Sequence, residues 1–96
     1  MPLTAAQKKN LRRMAHKLKP LVTVAGKGLS VTVVAEIERA LNDHELIKVK
    51  LRSDRGTRKT WVANITEQCK AEQIQNIGQI ACFYRRNPDK PVIDPG

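Results

Sequence analysis

The run Ile80-Ala81-Cys82-Phe83-Tyr84 is the longest uninterrupted apolar stretch in the chain. Read as a strand, it puts Ile80, Cys82 and Tyr84 on one face and Ala81 and Phe83 on the other. A strand that is apolar on both faces must be covered on both. The chain is therefore expected to build a sheet with helices packed on it, the first helix taking the second face. Ninety-six residues allow one such domain and leave no room for another. A chain of this size buries roughly 60–65% of its unfolded surface, so the core is small and a large enclosed substrate cavity is disfavoured.

The remaining elements follow from local pattern. Thr4 with Gln7 three residues on is a capping box, and Leu11, Met14, Ala15 and Leu18 recur at helical spacing. This predicts a helix from about Ala5 to Lys17, stopped by Pro20. Leu21–Val24 reads as a short strand, followed by the turn Ala25-Gly26-Lys27-Gly28-Leu29. Ser30 caps a second helix with Val34, Ile37 and Leu41 on one face. Ile47, Val49 and Leu51 alternate with Lys48, Lys50 and Arg52, the period of a half-buried strand. Ser53 to Thr60 reads as a polar loop, and Trp61, Val62, Ile65 and Cys69 as a third helix. Residues 72–76 and 79–85 flank Gly78 as a closing hairpin. Residues 87–96 hold three prolines without periodicity and are expected to form a poorly ordered tail after a domain spanning 1–86. The order αβαβαββ predicts an α/β domain with a four-stranded mixed sheet and three helices, its crossover strands parallel and its hairpin antiparallel.

Charge narrows the function. Lys and Arg number 18 against 9 Asp and Glu, a net charge of +9. Residues 1–30 contain Lys8, Lys9, Arg12, Arg13, Lys17, Lys19 and Lys27 with no acid. Residues 31–45 carry Glu36, Glu38, Asp43 and Glu45, and the basic residues return over 46–60. Such segregation predicts a face that binds a polyanion rather than a merely soluble surface. Aromatic residues are limited to Trp61, Phe83 and Tyr84, too few for a stacking platform of the kind used by single-strand readers. A basic amphipathic helix on a membrane is the competing idea for the first helix. Its apolar stripe has no aromatic residue and is better used in the core.

Other classes are disfavoured. The start shows no apolar signal core, and nothing approaches the roughly 20 apolar residues of a membrane span. Cys69 and Cys82 read as reduced core thiols of a cytoplasmic protein. His16 and His44 have no zinc-ligand spacing to a cysteine or to each other, so neither a metal nor another cofactor is expected. His16 reads as a helix-end residue, and His44 with Glu45 as a cap and local ion pair. No nucleophile stands with a base, and no carboxylate pair flanks the glycine turn. The expectation is a binding protein, not an enzyme, with no small-molecule substrate.

The turn at 25–28 is a weak anion-binding signal by itself. A strand, a glycine turn and a helix N-terminus point backbone N–H groups outward, and Lys27 adds a charge. Gly28 stands where a Walker loop needs Ser or Thr, and Val31 where a dinucleotide fingerprint needs a third glycine.

Strand, glycine loop and helix, then His44-Glu45-Leu46-Ile47-Lys48-Val49-Lys50, then Ile77-Gly78 leading to Tyr84-Arg85, resemble the CRM domain, most closely its bacterial stand-alone YhbY-type members. The resemblance covers about residues 3–86. It implies an RNA-binding domain similar in fold to the C-terminal domain of translation initiation factor three. Single-domain bacterial members of that family are associated with precursors of the large ribosomal subunit, and plant relatives with chloroplast intron splicing. The family loop is usually Gly-x-x-Gly; here Ala25 takes the first glycine's place.

The candidate RNA contacts are therefore Gly26, Lys27 and Gly28 in the loop. Lys8, Arg12, Arg13 and Lys19 would flank it if the first helix packs nearby. Lys48, Lys50 and Arg52 share a strand face that is either open to RNA or a solvated edge, and Arg85 would extend the basic surface. The expected function is assistance to large-subunit assembly by a monomer that clamps ribosomal RNA through its backbone. The alternative is an adaptor of the translation machinery that docks a partner through the acidic segment 36–45. A DNA-binding protein is a third possibility, without a recognisable helix-turn-helix.

Overall fold

Side-chain caps decide where each helix starts. In the computed structural model, which describes residues 3–96, Thr4 Oγ1 accepts from the Gln7 amide at 3.1 Å while Gln7 Oε1 accepts from the Thr4 amide at 2.9 Å. This capping box opens α1 (Ala5–Ala15). Ser30 Oγ accepts from the Val33 amide at 3.2 Å and opens α2 (Val31–His44). Asp54 Oδ1 accepts from the Thr57 amide at 2.8 Å and opens α3 (Arg55–Cys69). The strands are β1 (Pro20–Val24), β2 (Leu46–Leu51), β3 (Glu72–Ile77) and β4 (Ile80–Tyr84). Met1 and Pro2 of the expected domain lie outside the described residues.

The order αβαβαββ is the one expected. Strand ends shift by a residue, and two helix boundaries move. Helix α1 ends at Ala15, two residues before Lys17, and closes through tighter bonds, with Leu18 N–H donating to the Ala15 carbonyl at 3.0 Å. The larger correction is at 53–60, expected as a polar loop: α3 already begins at Arg55. Its first turns (Arg55 to Thr60) contain no buried residue, so apolar periodicity has nothing to register there. The Asp54 cap forms the helix without it.

The sheet order is β1-β2-β4-β3. β1 runs parallel to β2, and β4 runs antiparallel to both β2 and β3. Two antiparallel steps leave β3 parallel to β2, so β1, β2 and β3 share one direction. β4 packs on both sides. Ala81 and Phe83 join Val24, Ile37, Leu41, Ile47, Val49 and Ile65 beneath α2 and α3. Cys82 and Tyr84 join Leu11, Ala15, Leu46 and Ile74 beneath α1. The first helix does cover the second face. Leu11, fully buried there, is worth roughly 1.5–3 kcal/mol in transfer free energy. Cys69 and Cys82 are free and buried in different clusters, so the sheet separates them. Burial and the neighbouring Glu38 push the Cys69 thiol up to about 11.

Glu45, the C-cap of α2, has the positive φ of 63° that L-residues avoid. Its side chain is fully buried, and the expected ion pair with His44 does not form. The carboxylate accepts instead from the amides of Asn87, Val92 and Ile93 at 2.6, 2.5 and 2.7 Å. Its own carbonyl accepts from the Arg85 amide at 2.9 Å. Residues 87–96 contain no helix or strand. Glu45 nevertheless fastens their backbone, Ile93 packs on the α1 cluster, and the Gln7 side chain donates to the Gly96 carbonyl.

Burial alone would raise the pKa of Glu45, but the three amides outweigh it and hold the carboxyl below the usual carboxylate range. Replacing Glu45 by Gln should cost about 2–3 kcal/mol at neutral pH, since hydrogen bonds to a charged acceptor are lost. The charge contributes fully above the unfolded value of about 4.3 and is lost as pH falls through the lower folded value. In urea unfolding the gap between wild type and Glu45→Gln should therefore narrow between pH 7 and pH 3. A gap constant with pH would assign the effect to shape rather than charge.

Candidate nucleic-acid interface

Because β1 and β2 are parallel, the segments leaving their carboxyl ends emerge at the same end of the sheet. There α2 and α3 both begin, with their N-terminal amides directed outward. The Arg52 amide donates to the Val24 carbonyl at 2.8 Å, and the Leu51 amide to the Gln79 carbonyl at 2.6 Å. These bonds hold the glycine loop, the start of α3 and the β3–β4 turn side by side. The carboxyl end of a parallel sheet is where open α/β folds place their ligands.

The loop is a tight turn closed by the Gly28 amide on the Ala25 carbonyl at 2.7 Å. Gly28 has φ +64°, and a Cβ added there would lie 3.5 Å from Trp61 Nε1. Dihedral strain, rather than lack of space, calls for glycine. Gly26 has no positive φ and nothing within 4 Å of an added Cβ, so its outer side is open to an approaching backbone. Ala25 also avoids positive φ, and alanine in place of the family's first glycine introduces no strain. Trp61 is half-buried under the loop and packs on the main core cluster.

Lys27 is exposed at the tip, and Arg52, whose amide bonds the Val24 carbonyl at the base of the loop, is also exposed. Sequence reasoning missed Arg55, Arg58 and Lys59 by assigning 53–60 to a loop. On the first turns of α3 they add three cations to this end, Arg58 being tied to the Ser53 carbonyl at 2.7 Å. The available signal was Asp54 as a cap with Thr57 three residues on. The Asp54 carboxylate is taken up by Thr57, whose amide and hydroxyl hold its pKa below the ordinary value.

Other expected residues lie elsewhere. Lys48 and Lys50 are half-buried on the α1 side of β2, opposite Cys82 and Ile80. Lys50 also pairs with Thr23, one residue before the end of β1, which places it toward the loop. Lys8, Arg12, Arg13 and Lys19 do not flank the loop. Helix α1 packs on Leu46 and Tyr84, at the opposite end and on the opposite face. Lys19 precedes the first residue of β1 and is about 16 Å from the loop along that strand. Arg85 does not join the basic surface either. Its guanidinium donates to Glu38 Oε2, the Cys69 carbonyl and Asn42 Oδ1, each at 2.8 Å, clamping α2 to the C-terminal end of α3. That clamp breaks up the acidic segment 36–45 as well. Glu38 faces Arg85 and Glu45 is buried, leaving Glu36 and Asp43 as its exposed carboxylates.

Sheet order, glycine loop and exposed cations describe a small α/β domain with one strongly basic end. The CRS1/YhbY (CRM) domain model matches residues 3–85, and the chain belongs to that family. It is 47% identical over 89 residues to a Pseudomonas aeruginosa protein named a probable RNA-binding protein, covering 92% of this chain and 86% of that one. It is 44% identical over 94 residues to a Haemophilus influenzae protein named RNA-binding protein, covering 97% and 95%. The fold superposes on the solution structure of a Staphylococcus aureus protein with a TM-score of 0.78 at 29% identity, covering 90% of this chain and 91% of that one. The names of the two relatives are those of RNA-binding proteins. No described helix is long and apolar enough to cross a membrane.

The two loop glycines should separate on substitution. Gly28→Ala forces an L-residue to positive φ and should lose about 1–2 kcal/mol. Gly26→Ala, in open space, should change stability by no more than about 0.5 kcal/mol. Urea denaturation of the two variants checks this, and equal losses would contradict the loop geometry.

Proposed function

We propose that this protein binds ribosomal RNA in precursors of the large subunit and assists their assembly, gripping the RNA backbone at the end of the sheet that carries the glycine loop. The observation that carries the reading is the convergence at that end of the open Gly26 turn, the α2 N-terminus, Lys27 and Arg52. Family membership and the names of the relatives support RNA as the polyanion. The mechanism is electrostatic: the loop fixes register on the phosphates while the surrounding cations supply affinity. The protein acts as a monomer in the cytoplasm and performs no chemistry on the RNA.

With Lys27, Lys50 and Arg52 engaged, about three phosphates are neutralised at the loop. Affinity for single-stranded RNA should then fall about 20-fold between 50 and 200 mM salt through these contacts. In a lysate the protein should co-sediment with large-subunit precursors at low salt and leave them at high salt. Lys27→Ala combined with Arg52→Ala should weaken the association at least ten-fold at low salt. A protein that stays at the top of the gradient at low salt would overturn the ribosomal assignment.

A further inference from the structure

Across α3 from the glycine loop lies a cleft of about 620 Å³ that the loop-centred reading does not use. One wall is a single face of α3, with Arg55 one turn before Arg58 and Lys59, and Val62 one turn after them. The other is the β3–β4 hairpin, with Gln73 and Asn76. The volume lies within the roughly 300–1,000 Å³ of small-ligand sites and admits a nucleotide unit.

Arg58 is tied to the Ser53 carbonyl, but among the described residues Arg55 and Lys59 make no side-chain hydrogen bond or ion pair. Arg55 and Lys59 are four residues apart, a like-charge spacing that destabilises a helix. Both occupy the first turns of α3, where the helix dipole also disfavours positive charge. Among the described residues the ion pair formed is Arg85 with Glu38, on another part of the surface. Arg55 and Lys59 are exposed, and no acidic residue lines the cleft. An anion seated between the walls relieves both repulsions.

The facing wall says which anion. Gln73 and Asn76 are exposed carboxamides, each able to donate and to accept. A phosphate needs donors alone, whereas a ribose 2′-hydroxyl is both donor and acceptor and is the group by which proteins tell RNA from DNA. Cations along one side and amides along the other match a ribose phosphate. The cleft is also within reach of a strand already held at the loop. Trp61, whose indole lies under Gly28, is the neighbour in sequence of Val62 on the cleft floor, so the two sites are separated by one helix, about 10 Å across.

We infer that this cleft is a second RNA subsite, in which Arg55 and Lys59 hold a phosphate and Gln73 and Asn76 bind the adjoining 2′-hydroxyl, making the protein selective for RNA over DNA. The inference rests on the RNA-binding reading above and adds to it a site and a basis for sugar selectivity. The test is fluorescence anisotropy with single-stranded RNA and DNA of one sequence, at several salt concentrations, on the full chain and three double variants.

Gln73→Ala with Asn76→Ala should weaken RNA binding about two- to ten-fold, leaving DNA affinity and salt slope unchanged. Arg55→Ala with Lys59→Ala should weaken both ligands and lower the salt slope by about 1.4. All four side chains are exposed, so the fold should survive, as a thermal melt will verify. Should the amide pair fail to fold, Asn76→Ala alone is read the same way. If RNA and DNA weaken equally in the amide variant, or neither cleft variant changes affinity while Lys27→Ala with Arg52→Ala does, the cleft assignment is overturned and the proposed function stands. If the wild-type protein binds no RNA at low salt, both are overturned.

Discussion

The strand Ile80–Tyr84 lies between β2 and β3 and buries side chains on both of its faces, which obliges the chain to supply a helical layer on each side. The two layers are not equivalent. On one side α2 and α3 are crossovers between parallel strands, so their N-termini emerge together at the carboxyl end of the sheet. On the other side α1 has no crossover to make and settles over the Leu46–Tyr84 end. The arrangement that closes the core therefore splits the basic residues into two groups, one on α1 and the other beside the starts of α2 and α3.

The ends of the sheet also divide the work of holding and binding. At the α1 end, polar groups are used inwardly. Glu45 gathers three amides of the C-terminal segment, and Arg85 ties Glu38 and Asn42 to the last turn of α3, where a cation is favoured by the helix dipole. At the loop end, Lys27, Arg52, Arg55 and Lys59 face solvent. Buried charge with complete hydrogen bonding stiffens one end, and unpaired exposed charge leaves the other free to meet a polyanion.

Much of the fold was legible because the patterns carrying it are local. The Thr4–Gln7 box, the Ser30 cap and the Ile47–Lys48–Val49–Lys50 alternation each act within a few residues, and the structure contains all three. The two-faced apolar run foretold the second helical layer. What stayed hidden depends on partners distant in sequence. Glu45 is one charge among several until Val92 and Ile93 are folded back onto it, 47 and 48 residues away. Arg85 looks like any surface arginine until Glu38 is brought beside it. The start of α3 was missed for another reason: a helix turn that buries nothing leaves no periodicity. Of the candidate site, the loop glycines and Lys27 could be read from residue type, but which cations stand beside them is set by sheet order.

The position of β4 also bears on how the chain is made. The interior edge of β2 is paired by β4, whose first residue comes 29 positions after Leu51, the last residue of β2. A nascent chain that has not reached Ile80 can form β1 and β2 but leaves that edge bare and Ile47, Val49 and Leu51 without the strand beside them. Such an unpaired edge is a template for wrong association. The domain therefore cannot mature gradually from its N-terminus: its sheet becomes safe only once Ile80–Tyr84 has been delivered, and a chain stopped before that strand is a sticky fragment rather than a smaller version of the same fold.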